Sequence, residues 1–213
     1  MRLERRTRRN LHRISSTLER AERIGREQLN KPFAVFVHLM PYMTAESVQG
    51  LVIIPPPKKL LKADIPDTLN GVDFGLLTRL QQAPKGNDYL RTCCALVGTL
   101  TGIAPERVAS CRAYDVLGIV NMITAEMERI GKLFASLHSE KTSDEISAGI
   151  DRLDFGTFGI VDWYAKRMGI VDHEDVFKTP WVRVYQCLKI DHENMEFEKR
   201  FRKIIENRSK IKR

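Results

Sequence analysis

Residues 113–138 constrain this chain more than any other stretch. There Val116, Ile119, Val120, Ile123, Met127, Ile130, Leu133, Phe134 and Leu137 recur at intervals of three and four. An α-helix brings residues at that spacing onto one face, whereas a strand would need alternation. The pattern persists for about six turns, which predicts a helix at the centre of a hydrophobic core. Its two glycines, Gly118 and Gly131, suit the close approach of another element. The expected fold class is therefore mainly α, a multi-helix bundle.

Shorter helices are expected on either side of this one. Asp73 reads as the cap of a helix running through Gln82, which Ala83-Pro-Lys-Gly86 breaks. Asn87 reads as the next cap, for a helix carrying Leu90, Cys93, Cys94, Val97 and Leu100 that stops at Gly102. Pro105 fits the first turn of a short helix through Cys111. Thr142-Ser-Asp-Glu145 has the capping-box pattern and predicts a short helix closed by Gly149. Beyond Leu153, the glycines around Phe158 let the backbone turn while the rings anchor it. A helix with Ile160, Val161, Trp163, Tyr164 and Met168 is then expected, ending at Gly169. Asp172 reads as the cap of one turn, His173–Lys178. Thr179-Pro180 starts another helix, with Trp181, Val184, Tyr185 and Leu188 on one side. Asp191 reads as the cap of a separate last helix, with Met195, Phe197, Phe201, Ile204 and Ile205 facing inward.

The N-terminal third is less regular. Leu11, Ile14, Leu18, Ala21 and Ile24 give residues 3–30 one narrow apolar stripe among arginines, a helix that Asn30-Lys-Pro32 ends. That stripe wants cover from the domain body or from another copy of itself. Phe33–Leu39 and Leu51–Ile54 have β-rich composition, so a small β-ribbon is expected near residues 33–54. Pro55-Pro-Pro57 forces extended backbone, and with Lys58, Lys59 and Lys62 it makes 55–70 read as a linker or surface arm. The expected division is 1–31 as a basic amphipathic helix, 32–70 as β-ribbon and Pro-rich linker, and 71–213 as a helical domain.

Charge is concentrated at the ends. Residues 1–31 hold ten Lys/Arg against four Glu, and residues 198–213 hold eight against two, within a chain of net charge +8. The region between them is mildly acidic. Basic ends can hold nucleic acid through its phosphates, dock on an acidic protein, or simply keep the chain dispersed. No aromatic residue precedes Phe33, so the N-terminal arm has no platform on which bases could stack. Nucleic acid is accordingly the lesser expectation among partners. No apolar run has the length of a membrane span, and the N-terminus lacks the apolar segment of a secretory signal, so a cytoplasmic location is expected. The four cysteines form no CxxC pair and read as buried thiols.

A search for chemistry returns no constellation. There is no P-loop, no dinucleotide-binding glycine motif and no nucleophile elbow. His192-Glu193 lacks the second histidine of a zinc helix. His173-Glu174-Asp175 sits where acids serve a helix N-terminus, and adjacent residues do not converge on one ion. Asp162 has Lys166 one turn on as a partner for an ion pair. No catalytic residue, metal or cofactor is expected, and the chain does not read as an enzyme. The candidate partner-binding residues are the aromatics of the last quarter: Phe155, Phe158, Trp163, Tyr164, Trp181 and Tyr185. Packing in the core is the competing role for the Trp and Tyr side chains.

Four strings carry a resemblance. They are Phe74–Leu80 (FGLLTRL), Glu128–Phe134 (ERIGKLF), Ala148–Trp163 (AGIDRLDFGTFGIVDW) and Thr179–Tyr185 (TPWVRVY). With the layout of roughly residues 60–205, the chain resembles small helical proteins from the tail modules of bacteriophages and prophages of Bacteroides-type hosts. The resemblance implies a non-enzymatic tail assembly chaperone, which binds the long tape measure protein before tail-tube subunits replace it, with no catalytic residue to carry over. The basic arm and the Pro-rich segment lie outside the pattern. They leave open a structural head or tail completion protein, or one associated with nucleic acid. A homo-oligomer would suit the striped N-terminal helix.

Overall fold

The computed structural model describes residues 27–43, 51, 54–83, 88–137, 139, 141–153 and 155–211. The protein is mainly helical with one small two-stranded antiparallel sheet. It divides into two compact units, Met1–Thr68 with Gln82–Ala125 and Leu69–Gln81 with Glu126–Arg213. This division differs from the boundaries expected near 31 and 70. Most of the helix expected over 3–30 lies outside the described residues.

In the first unit, Phe33–Leu39 is a helix, here α1, and not the strand its composition suggested. The correction has a clear cause. Phe33 and Phe36 are fully buried while Val35 is 43% exposed, a three-residue spacing that only a helix satisfies. Tertiary hydrogen bonds set its start: the Phe33 amide donates to Cys111 O at 2.8 Å, and the Ala113 amide to Lys31 O at 2.9 Å. The two-stranded ribbon lies further on, at β1 Lys59–Leu60 and β2 Ala63–Asp64, with Lys59 opposite Asp64 and Leu60 opposite Ala63. The turn between the strands puts Leu61 at φ +53°, a left-handed conformation rare for a leucine.

The segment expected as a linker is packed. Leu60, Ile65 and Leu69 are buried. Asn121 Nδ2 donates to Leu51 O at 2.6 Å, capturing the chain just before the prolines. The expected close approach occurs at Gly118: a Cβ there would stand 2.2 Å from Pro55 O. Helix α2 is Phe74–Gln81, which belongs to the second unit, and the first unit continues with α3 Tyr89–Thr101 and α4 Pro105–Ala109. The cap of α3 is Asp88, whose side chain accepts from the Arg91 amide, one residue beyond the expected Asn87; Asn87 lies outside the described residues. Gly102 closes α3 at φ +71°.

Helix α5, Ala113–Ala135, is the predicted central helix. Residues 116–120 are all buried, so the helix is enclosed on every side there. The division between the two units falls within α5, at Ala125 and Glu126.

The second unit contains α2, the end of α5, α6 Ser143–Ser147, α7 Gly156–Met168, α8 His173–Phe177 and α9 Trp181–Ile211. The capping box at Thr142 and Glu145 is present, and Asp172 caps α8 through the Glu174 amide. A single residue, Leu69, ties three elements together. Its amide donates to Glu126 Oε2 at 2.9 Å, and its carbonyl accepts from Trp181 Nε1 at 2.6 Å. Phe74 donates its amide to Thr179 O at 2.8 Å and stacks on Phe177.

One helix replaces the two expected after Thr179. Asp191 does not cap anything; it pairs with Arg167, and α9 runs through it unbroken for 31 residues. A helix-favouring run on both sides and a partner for the carboxylate outside its own helix remove the reason for a break. Phe197, Phe201, Ile204 and Ile205 do not face inward either, for each is at least half exposed.

Candidate functional site: an apolar groove in the second unit

Three elements of the second unit bring apolar side chains to one groove of about 390 Å³. The end of α5 supplies Phe134, with Leu137 just beyond it; α7 supplies Ile160 and Trp163; α9 supplies Leu188, Asp191, His192 and Met195. The spacing follows from helix geometry. Ile160 and Trp163 are three apart, and Leu188, His192 and Met195 recur at four and three, so each set shares a face. Phe134 is held edge-on against Tyr185, with ring centroids 5.4 Å apart, and also meets Trp181.

The polar groups around the groove are largely committed to one another. Arg167 pairs with Asp191 and lies over the Trp163 ring, 5.7 Å from its centroid. That carboxylate raises the guanidinium pKa further above its ordinary value. Glu196, one residue past Met195, accepts from Ser139 Oγ at 2.6 Å and has Lys199 at 3.6 Å. The serine hydrogen bond, with the nearby Lys199 and His192 as smaller causes, lowers the Glu196 pKa. His192 is the exception. Its Nδ1 is buried without a hydrogen-bond partner among the described residues. A buried polar atom left unpaired costs on the order of 1–3 kcal/mol of stability.

The six aromatic candidates do not form one surface. Trp163 lines the groove, and Phe155 and Phe158 stand 70% and 62% exposed. Phe155 precedes α7, and by helical spacing Phe158 lies on a different face of it from Ile160 and Trp163, packing on His173 instead. Tyr164 and Trp181 are core residues, each 1% exposed, and Tyr185 is half-buried against Trp181 and Phe134. Core packing thus claims the last three. Of the groove residues, sequence reasoning singled out Trp163 and missed the others, Phe134, Leu137, Ile160, Leu188, Asp191, His192 and Met195. The available signal was the persistence of apolar spacing past the point where each helix needs it for its own core.

Outside the groove, His173 faces Asp162 at 3.5 Å, while Lys166 binds the same carboxylate at 2.7 Å and is the main cause of its lowered pKa. Among the described residues, no three of His, Cys, Asp and Glu lie close enough to hold a metal ion. Burial pushes the Cys93 and Cys94 thiols up to about 11, so neither is a ready nucleophile. No helix among the described residues is long and apolar enough to cross a membrane. The chain matches no known protein family, no curated protein and no solved structure.

Proposed function

We propose that this protein acts without making or breaking bonds, by seating an apolar helical face of another protein in the groove of its second unit. The finer reading is a phage tail assembly chaperone whose client is the tape measure protein. One observation carries the reading: apolar side chains from three separate elements line one open groove. Helix-in-groove recognition needs such a surface, since apolar anchors supply its affinity. A groove of about 390 Å³ takes a row of side chains and leaves the partner's polar face in water. That suits a long amphipathic client held reversibly. The client's identity rests on the sequence resemblance, and the groove supports the mode of binding.

Co-expression with a tape measure protein from a phage tail module tests both levels. The expected result is co-purification and a gain in client solubility, reduced at least about tenfold by Trp163→Ala with Met195→Glu. Co-purification that the double variant leaves intact overturns the groove. Absence of any association overturns the chaperone assignment.

A further inference from the structure

We propose that the C-terminal half of α9 is a self-association surface, on which two copies of this chain pair antiparallel. The starting point is an apolar face that stays exposed. Ile190, Phe197, Phe201 and Ile204 follow one another at helical spacing and are each at least half exposed. Phe197 and Phe201 stack on each other, with centroids 6.0 Å apart and planes 10° from parallel. Every residue from Arg200 to Arg208 is exposed. An unsupported helix of that length is marginal in water, because most helical stability in proteins comes from a packed face. Two exposed phenylalanines and two isoleucines on such a segment mark it as a contact surface.

The order of charges selects the occupant. From Asp191 to Glu198 the helix carries four acids and no Lys or Arg; Asp191 and Glu196 are held by Arg167 and by Ser139 and Lys199, and the exposed Glu193 and Glu198 flank the stripe. From Lys199 to Arg208 it carries Lys199, Arg200, Arg202, Lys203 and Arg208 against Glu206 alone. The stripe is therefore acidic first and basic second. Two copies lying antiparallel set acid against base at both ends, while a parallel pair would set like against like. A second copy is thus a complementary partner, and the apolar rows meet between the charged flanks as in other paired amphipathic helices. Residues 190–208 span roughly 28 Å at the rise of an α-helix, and a strip of that length and one helix wide falls short of a standard interface. The pairing is accordingly weak and concentration-dependent.

Sedimentation equilibrium of the full chain, over increasing protein and sodium chloride concentrations, reads the proposal. The expected result is a reversible dimer that loosens as salt screens the opposed charges. Phe197→Asp with Phe201→Asp is expected to weaken the dimer at least about 30-fold. Both side chains are exposed and neither lines the groove, so circular dichroism of the variant should match the parent and client capture should persist. A monomer throughout the range overturns the proposal, whatever then covers the stripe. So does a dimer that the double variant leaves intact, or one that tightens with salt, since that is the response of parallel pairing.

Discussion

Gly118 and Gly131 stand on the same helix and look alike in sequence, yet their surroundings are opposite. At Gly118 the Pro55 carbonyl occupies the space a methyl group would need; at Gly131 nothing lies within 4 Å. Gly118→Ala should therefore force the backbone at Pro55 away and cost about 1–3 kcal/mol. Gly131→Ala should gain about 0.5–1 kcal/mol, because alanine gives up less freedom in a helix. Urea denaturation of the two variants checks the difference in sign. Both glycines read in sequence as sites of close approach, and only one is. Spacing shows where a small residue sits but not what faces it. The residue-scale signals that did transfer were local ones: the Asp172 cap, the Thr142 box and the glycine stops at Gly102 and Gly169 each concern groups within a few residues of one another.

Elements were legible where their pattern was strong and misread where a distant contact decided. Phe33–Leu39 has the composition of a strand, but backbone hydrogen bonds of Lys31 and Phe33 to Ala113 and Cys111 fix the chain at its start, and the helix follows. Opposite tolerances at adjacent positions test this. Phe36→Ala should cost about 3–5 kcal/mol as a fully buried ring is lost. Val35→Asp should stay within about 0.5 kcal/mol, since the side chain already meets water. A strand would bury Val35 with Phe33 and reverse the order. The tie through Leu69 makes a second prediction at this scale. The Arg129 side chain and the Leu69 amide hold the Glu126 pKa below its ordinary value of 4.5. A carboxylate depressed in the folded state contributes stability that is full above the unfolded pKa and lost as pH falls through the folded one. Stability should thus decline below about pH 4.5 by an amount that Glu126→Gln abolishes. Denaturation midpoints of parent and variant from pH 7 to pH 3 measure it. The unbroken α9 was misread for a related reason. Asp191 has the form of a cap, and only Arg167, 24 residues earlier, shows that its carboxylate is used elsewhere.

At the scale of the whole molecule, the fold class was readable because α5 announces itself, whereas the groove was not. Its lining comes from residues as far apart as Phe134 and Met195, and no local pattern marks their meeting. The aromatic-rich last quarter lies in the unit that holds the groove. Tyr164 and Trp181 build that unit's core, and Trp163 with unremarked aliphatic neighbours forms the concave surface. The polar groups near that surface pair with one another, Arg167 with Asp191 and Glu196 with Ser139, so what the groove offers a partner is burial of apolar area. Calorimetric titration of the full chain with a helical tape measure segment, at several temperatures, tests this most directly. Groove binding predicts a negative heat-capacity change, the mark of apolar burial, that disappears in Trp163→Ala with Met195→Glu. Binding of equal strength and heat-capacity change in that variant, or no binding at any temperature, would contradict it.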